Sequence, residues 1–213
     1  VRIGGVKHDM PRDFPATAKD FIEKIRALLV DFDDVITSNR IFVDRLKDTG
    51  VISKEDCLKY AVTGPILRSA GVPLDVRKPD PYLVYDQIDF DIPIGEVGDN
   101  YDRYLVRVEE MRQSARILTQ CVEKIPDGAI MCKKPRVIKS AKETEVYSSI
   151  EGPKGEIGFY IVGDGTAIPW RCHVRAPSFI TLQALPELVM DTLLADLVAI
   201  IGTTDIVLGE VDR

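Results

Sequence analysis

One stretch, NYDRYLVRVEEMRQSARILTQCVEK at residues 100–124, constrains the fold more than any other. Tyr104, Val108, Met111, Ala115, Leu118, Val122 and Ile125 step by four and three, which makes one apolar stripe on a helix. Asp99 or Asn100 can cap its start, and Pro126, Asp127 and Gly128 stop it. The stripe reads as core packing rather than a cofactor box. Arg103, Arg107, Glu110, Gln113, Arg116, Gln120 and Glu123 fall largely on other faces. The row of arginines reads as a solvated face, or as one that docks a neighbour.

Upstream, residues 16–36 carry Phe21, Ile25, Leu28, Leu29 and Phe32 at helical spacing, after the start signal PRDFP. SKEDCLKYA opens with Ser53 three residues before Asp56, the pattern of a capping box, and predicts a short helix. TGPILRSAG reads as a helical turn between glycines. In YLVYDQIDFDIPIG, Ile88, Phe90 and Ile92 alternate with Asp89 and Asp91, and this period of two predicts a strand. Asp86, Asp89 and Asp91 read as its wet side, facing water or pairing with Arg or Lys, rather than as metal ligands. Residues 129–145 read as a polar, lysine-rich loop. Strands resume with VYSSIEG, GEIGFYIVGDG and IPWRCHVRA, the last two joined by a turn at Gly163, Asp164 and Gly165. FITLQALPELV is mixed. A final helix, about Asp191 to Ile201, is apolar on nearly every side. It is predicted to be buried and to end at Gly202 in a left-handed cap. Helices first and a meander of strands after residue 146 make an α+β fold, with a small antiparallel sheet in the C-terminal third.

Composition excludes several functions. The 213 residues carry a net charge of −6, with no basic patch for nucleic acid. Cys57, Cys121, Cys132 and Cys172 form no CxxC pair and read as reduced thiols, not as a zinc or iron–sulfur site. His8 and His173 read as surface or hydrogen-bonded residues. Cys172 and His173 are neighbours on a strand, so they point to opposite faces and make a poor dyad. There is no GxGxxG after a strand, no P-loop and no GxSxG elbow. The most apolar window, Leu193 to Ile201, contains Asp196 and falls far short of the roughly 20 residues that span a bilayer. Any membrane link is therefore expected through a partner. The start, VRIGGV with Val1 rather than Met, reads as the interior of a longer protein.

Seven blocks carry a resemblance. They are VRIGGVKHDMP, TSNRIF, VTGPILRSAGVPLDVRK, PYLVYDQIDFDIPIGEVGDNYDRYLVRVEEMRQS, EGPKGEIGFYIVGDG, PWRCHVRAPSF and LADLVAIIGTTDIVLGEVDR. In this order they resemble the C-terminal half of the hydrogenase-like, quinone-site D-type subunit of respiratory complex I and of the plastid-type NAD(P)H dehydrogenase. EEMRQS, EGPKGE and GEVDR are its most specific parts. The resemblance implies a helix-rich core like that of nickel–iron hydrogenase large subunits. It implies a place at the foot of the peripheral arm, on the cytoplasmic side of the inner (cell) membrane or its matrix or stromal equivalent. The partners implied are the subunit holding the terminal 4Fe–4S cluster, a 30 kDa-type peripheral subunit and the membrane subunit at the chamber mouth. Quinone is the implied substrate, and its reduction drives ion translocation. NADH, FMN and the clusters lie in other subunits, so no cofactor is expected on this chain.

The family's tail folds back to face the quinone cavity, and the matching positions here are Asp205, Val207, Gly209, Glu210 and Arg213. The resemblance implies Val207 as an apolar wall that bears on inhibitor response. Asp205 and Glu210 would hold polar or charged partners, and Arg213 a carboxylate. Simple structural salt bridges are the plainer reading of the charges. The tail carries no cysteine, so the thiolates that a nickel–iron centre requires are missing. The family's headgroup histidine and tyrosine lie in its N-terminal half, so neither His8 nor His173 inherits that role. The family's longer segment between Val137 and VYSSIEG is nearly absent, and packing at 138–146 is expected to differ. The rival readings are a ferredoxin-linked or hydrogenase-type membrane complex, and a scaffold that kept the fold without quinone chemistry.

Overall fold

The computed structural model describes residues 3–134 and 137–212. Helix α1, Phe14–Phe32, starts at the PRDFP signal with a proline in its first turn. It widens into a π turn at Asp33–Thr37 where the predicted helix was to continue. Asn39 then caps α2, Arg40–Leu46, its Oδ1 accepting from the Ile41 N–H at 3.0 Å. Helix α3, Lys54–Lys59, carries the predicted cap: Ser53 Oγ accepts from the Asp56 N–H at 3.0 Å. The predicted turn is α4, Pro65–Ser69.

The long helix is α5, Asn100–Glu123, and Asp99 is its cap, accepting from the Asp102 N–H at 2.7 Å. The predicted stripe is correct at Val108 and Ala115, but Met111 and Leu118 are largely exposed. The arginine row is not a solvated face. Arg103 is fully enclosed and Arg107 largely so. The reason is position: α1, α2, α4 and a later helix at Leu197–Thr204 all pack against α5, so its polar side also meets protein.

Residues 88–94 are not a strand. They run extended along α5, and glutamine side chains stand in for a neighbouring strand. Gln120 accepts from the Asp89 N–H at 3.0 Å and donates to the Asp89 carbonyl at 2.6 Å, and Gln113 accepts from the Asp91 N–H at 3.1 Å. The alternation itself is correct. Ile88 and Phe90 are buried with Ile117, while Asp89 and Asp91 both pair with Arg116 in solvent. Such exposed pairs are worth ~0–1 kcal/mol. Burying Ile88 and Phe90 contributes about 1.5–3 kcal/mol each and is what anchors the segment.

The sheet is antiparallel in the order β1–β2–β3, with β1 at Lys142–Gly152, β2 at Gly155–Asp164 and β3 at Arg171–Arg175. Its first strand begins four residues before the predicted VYSSIEG. The β1–β2 turn is Pro153–Lys154. Gly155 there has φ +135°, and a Cβ on it would lie 2.6 Å from Thr63 Oγ1, so only glycine lets the tip seat against residues 63–64. Two short helices follow, α6 at Pro177–Gln183 and α7 at Leu185–Val189.

The predicted final helix is a single 3-10 turn, Leu194–Asp196, followed by α8, Leu197–Thr204. It runs through Gly202, and the left-handed cap is Asp205 at φ 56°. Nor is it buried all round. Ile200 and Thr204 face the core, while Leu194 is 86% exposed and Val198 78%. Apolar composition marks a face to be covered without saying that this chain covers it. Last is α9, Leu208–Val211, packed on α6. The main core joins Ile52, Cys57, Val62, Ile66 and Leu67 to Ala184, Leu188 and Ile200, so α8 closes on the early helices. Among the described residues no helix is long and apolar enough to cross a membrane.

Candidate functional site

The tail leaves the core at Asp205. Its N–H donates to the Ile201 carbonyl at 3.2 Å, and its left-handed conformation, which aspartate tolerates better than most residues, turns the chain away from α8. The Asp205 carboxylate lies between two cations. Lys154, at the β1–β2 turn, makes a close ion pair with it. Arg107 of α5 approaches the same oxygen, Oδ2, with Nε 3.7 Å away, an ion pair without a hydrogen bond. Asp205 also lines a cleft of about 430 Å³ between α5, the hairpin tip and residues 75–77 and 91–93.

Charge fills the floor of this cleft. Arg68 of α4 is buried and donates to Glu110 at 2.7 Å, to Glu151 at 2.8 Å and to the Leu74 carbonyl at 2.8 Å. Asp75, 3.9 Å from Arg68, is also gripped by Arg77 at 2.6 Å. Glu151 binds the Val76 N–H at 3.0 Å with its other oxygen. Burial pulls the Arg68 guanidinium down, but Glu110 and Glu151 outweigh it and hold it above its ordinary value. For Glu110 burial wins: its carboxyl stands above the usual carboxylate range despite Arg68 and Arg107. For Asp75 burial is outweighed by Arg77, and its carboxyl is held low. Four cations (Arg68, Arg77, Arg107, Lys154) thus meet four carboxylates (Asp75, Glu110, Glu151, Asp205). A buried ionic cluster persists only when paired in this way.

Three sequence blocks meet here that lie far apart along the chain. Glu110 belongs to EEMRQS, Glu151 and Lys154 to EGPKGE, and Asp205 to GTTDIV. Sequence reasoning missed Arg107 and Lys154 as partners of the tail, and Arg68 and Glu110 as the ion pair beside them. The available signal was a charged residue inside an otherwise apolar turn, PILRS, and inside those specific blocks.

The other expected site residues sit apart from the cleft. The Val207 N–H donates to Ser178 Oγ at 3.4 Å, and the Val207 side chain is half-exposed. Ser178 donates to Glu210 Oε2. Glu210 therefore faces α6, not the Lys154–Arg107 pair. A Cβ on Gly209 would meet nothing within 4 Å. Arg213 lies outside the described residues. Leu194, Val198 and Ile201 before the turn, and Val207 and Leu208 after it, are exposed apolar side chains.

The family model described as the respiratory-chain NADH dehydrogenase 49 Kd subunit matches this chain over residues 1–144 and 139–213. The second of the NADH-quinone oxidoreductase D-type subunits of Solibacter usitatus is 50% identical over 212 residues, covering 100% of this chain and 57% of its own length. The D-type subunit of the same enzyme from Dehalococcoides mccartyi strain 195 is 46% identical over 212 residues, covering 100% of this chain and 58% of its own. That of Methylacidiphilum infernorum is 44% identical over 237 residues, covering 100% of this chain and 57% of its own. The chain belongs to the 49 Kd subunit family of respiratory-chain NADH dehydrogenase, which comprises the D-type subunits of complex I. It spans less than two thirds of the length of these curated relatives. The two family matches overlap at 139–144, the start of β1, and the Methylacidiphilum alignment is longer than this chain.

Proposed function

We propose that this chain is the C-terminal part of the quinone-site subunit of an ion-translocating NADH:quinone oxidoreductase, and that its tail forms part of the wall of the quinone chamber. The observation that carries this reading is the mooring of the tail. A charged turn at Asp205, paired with Arg107 and Lys154, is followed by the half-exposed Val207 and the exposed Leu208. A quinone offers an apolar ring and chain, which Val207 and its apolar neighbours suit, and two carbonyl oxygens that take up protons. Reduction to quinol consumes two electrons and two protons. The electrons come from a 4Fe–4S cluster in the neighbouring subunit, and NADH and FMN serve further upstream. Asp205 lies beside a paired ionic cluster through which protons can be redistributed. The chain binds no cofactor and has no activity alone in this reading.

The relatives' names favour NADH over ferredoxin as the donor. The partners are the iron–sulfur subunit, the 30 kDa-type subunit and the membrane subunit at the chamber mouth, with the assembly peripheral on the cytoplasmic side. The apolar face of Leu194 and Val198 is the kind of surface such an assembly covers. The scaffold is that of a nickel–iron hydrogenase large subunit, with a cysteine-free tail where thiolates would hold the metals.

Val207→Met in the intact complex tests the reading. Inhibition by quinone analogues should change several-fold while NADH oxidation by an artificial acceptor stays the same. Equal loss of both activities would mean that Val207 serves assembly alone.

A further inference from the structure

Arg103 is a fully enclosed guanidinium, and none of its four acceptors among the described residues is a carboxylate. They are the Gly98 carbonyl at 2.8 Å, the Gly50 carbonyl at 2.7 Å, Asn100 Oδ1, and Thr203 Oγ1 at 3.2 Å. Burial, and then repulsion from Arg107, push its pKa down to about 10. An apolar side chain of similar volume would fill the space without the desolvation penalty of a charge. What the charge achieves is to join three stretches of chain: the loop at 49–50, the start of α5 at 98–100 and the last turn of α8.

The α8 end of this arrangement bears on the site. Thr203, which accepts from Arg103, also donates to Asn100 Oδ1 at 2.6 Å. Two residues later the chain turns at Asp205, and Asp205 faces Arg107, one helical turn along α5 from Arg103. There is little slack around them. Gly50 has φ +57°, and a Cβ there would lie 2.8 Å from Ile200 Cγ1 and 3.0 Å from Arg103 Nη2. Beyond Asp205 the mooring is light: a 3.4 Å hydrogen bond at Val207, the Ser178–Glu210 contact and a four-residue helix. The place of Val207 is therefore set at the end of α8 as well as by these contacts with α6.

We infer that Arg103 and Arg107 act as a clamp of positioning residues: through Thr203 and Asp205 they fix the point at which the tail departs and so set the shape of the quinone wall. The inference rests on the proposed quinone-wall role and assigns its geometry to α5. Neither arginine touches quinone. Each acts through the residue it holds.

The test uses the intact complex with Thr203→Val, which keeps the volume and loses the hydroxyl, and Arg103→Lys, which keeps charge but not the four-way fork. Val207→Met and the exposed Arg116→Gln run beside them. The clamp predicts that Thr203→Val and Arg103→Lys shift the half-inhibitory concentration of a quinone-analogue inhibitor, and the quinone KM, by about threefold or more, since small misplacements at a binding wall are amplified. Oxidation of NADH by an artificial acceptor and the subunit content should match Arg116→Gln. Should Arg103→Lys fail to assemble, Thr203→Val decides alone. Unchanged inhibition and KM in an assembled Thr203→Val complex, with Val207→Met still effective, overturns the clamp and leaves the quinone wall standing. A silent Val207→Met overturns the quinone wall itself. Parallel loss of both activities in Thr203→Val reduces Arg103 to a structural residue and also overturns the clamp.

Discussion

Glu110 and Asp91 are both carboxylates paired with an arginine, yet they do opposite things to the protein. Asp91 pairs with Arg116 in solvent, where the pair contributes little. Glu110 is buried against Arg68, and burial holds its carboxyl above the ordinary value of 4.5. A carboxyl whose pKa is higher folded than unfolded binds more protons when folded. Its contribution to stability is therefore full below 4.5 and declines as pH rises through the raised value. Asp75 behaves in the reverse sense: its stabilisation is present above 3.8 and is lost as pH falls through its lowered folded value. Glu110→Gln keeps an acceptor for Arg68 and removes the titration. In urea unfolding followed across pH, this variant should lack the decline that the parent shows as pH rises from 4.5 through the raised value. An identical decline in both would mean that another group causes it. None of this was legible in the sequence. Arg103, Arg107 and Glu110 have the spacing of a wet helix face, and only the packing of four other helices around α5 turns that face inward.

At the scale of elements, local chemistry was read well and partnership poorly. The Ser53 and Asp99 caps and the PRDFP start were legible because they depend on a few adjacent residues. The 88–92 alternation correctly sorted Ile88 and Phe90 from Asp89 and Asp91, but period two reports which side is dry, not what pairs with the backbone. Here Gln113 and Gln120 make the pairing, one from each of two turns of α5. Replacing Gln120 with Ala should raise amide exchange at Asp89 roughly fivefold, as expected for one lost hydrogen bond of about 1 kcal/mol, and Gln113→Ala should do the same at Asp91. Unchanged exchange would show that apolar burial alone holds the segment. The final helix misled for a related reason. Gly202 looked like a cap, but an added Cβ there would meet nothing within 4 Å, and the helix continues to Asp205, whose carboxylate pairs with Lys154 and Arg107.

For the whole molecule, the fold brings separate sequence blocks to one place. EEMRQS, EGPKGE and the tail are remote in sequence, yet they converge on the Arg68–Glu110–Glu151 cluster and the Lys154–Asp205–Arg107 bridge. Asp205 and Val207 stood out in the sequence of the tail, but how the fold divides them was not legible. Asp205 lies on the cleft, while Glu210 turns to Ser178 and Val207 is half-exposed, a division that depends on the αL turn and the α6–α9 packing. The account stands or falls on whether quinone reaches Val207. A photoreactive quinone analogue, activated in the intact complex and followed by mass spectrometry, measures this directly. The account predicts label on a fragment containing Val207, suppressed by excess quinone. Label that inactivates the complex, is suppressed by quinone and never falls on residues 205–212 would contradict it.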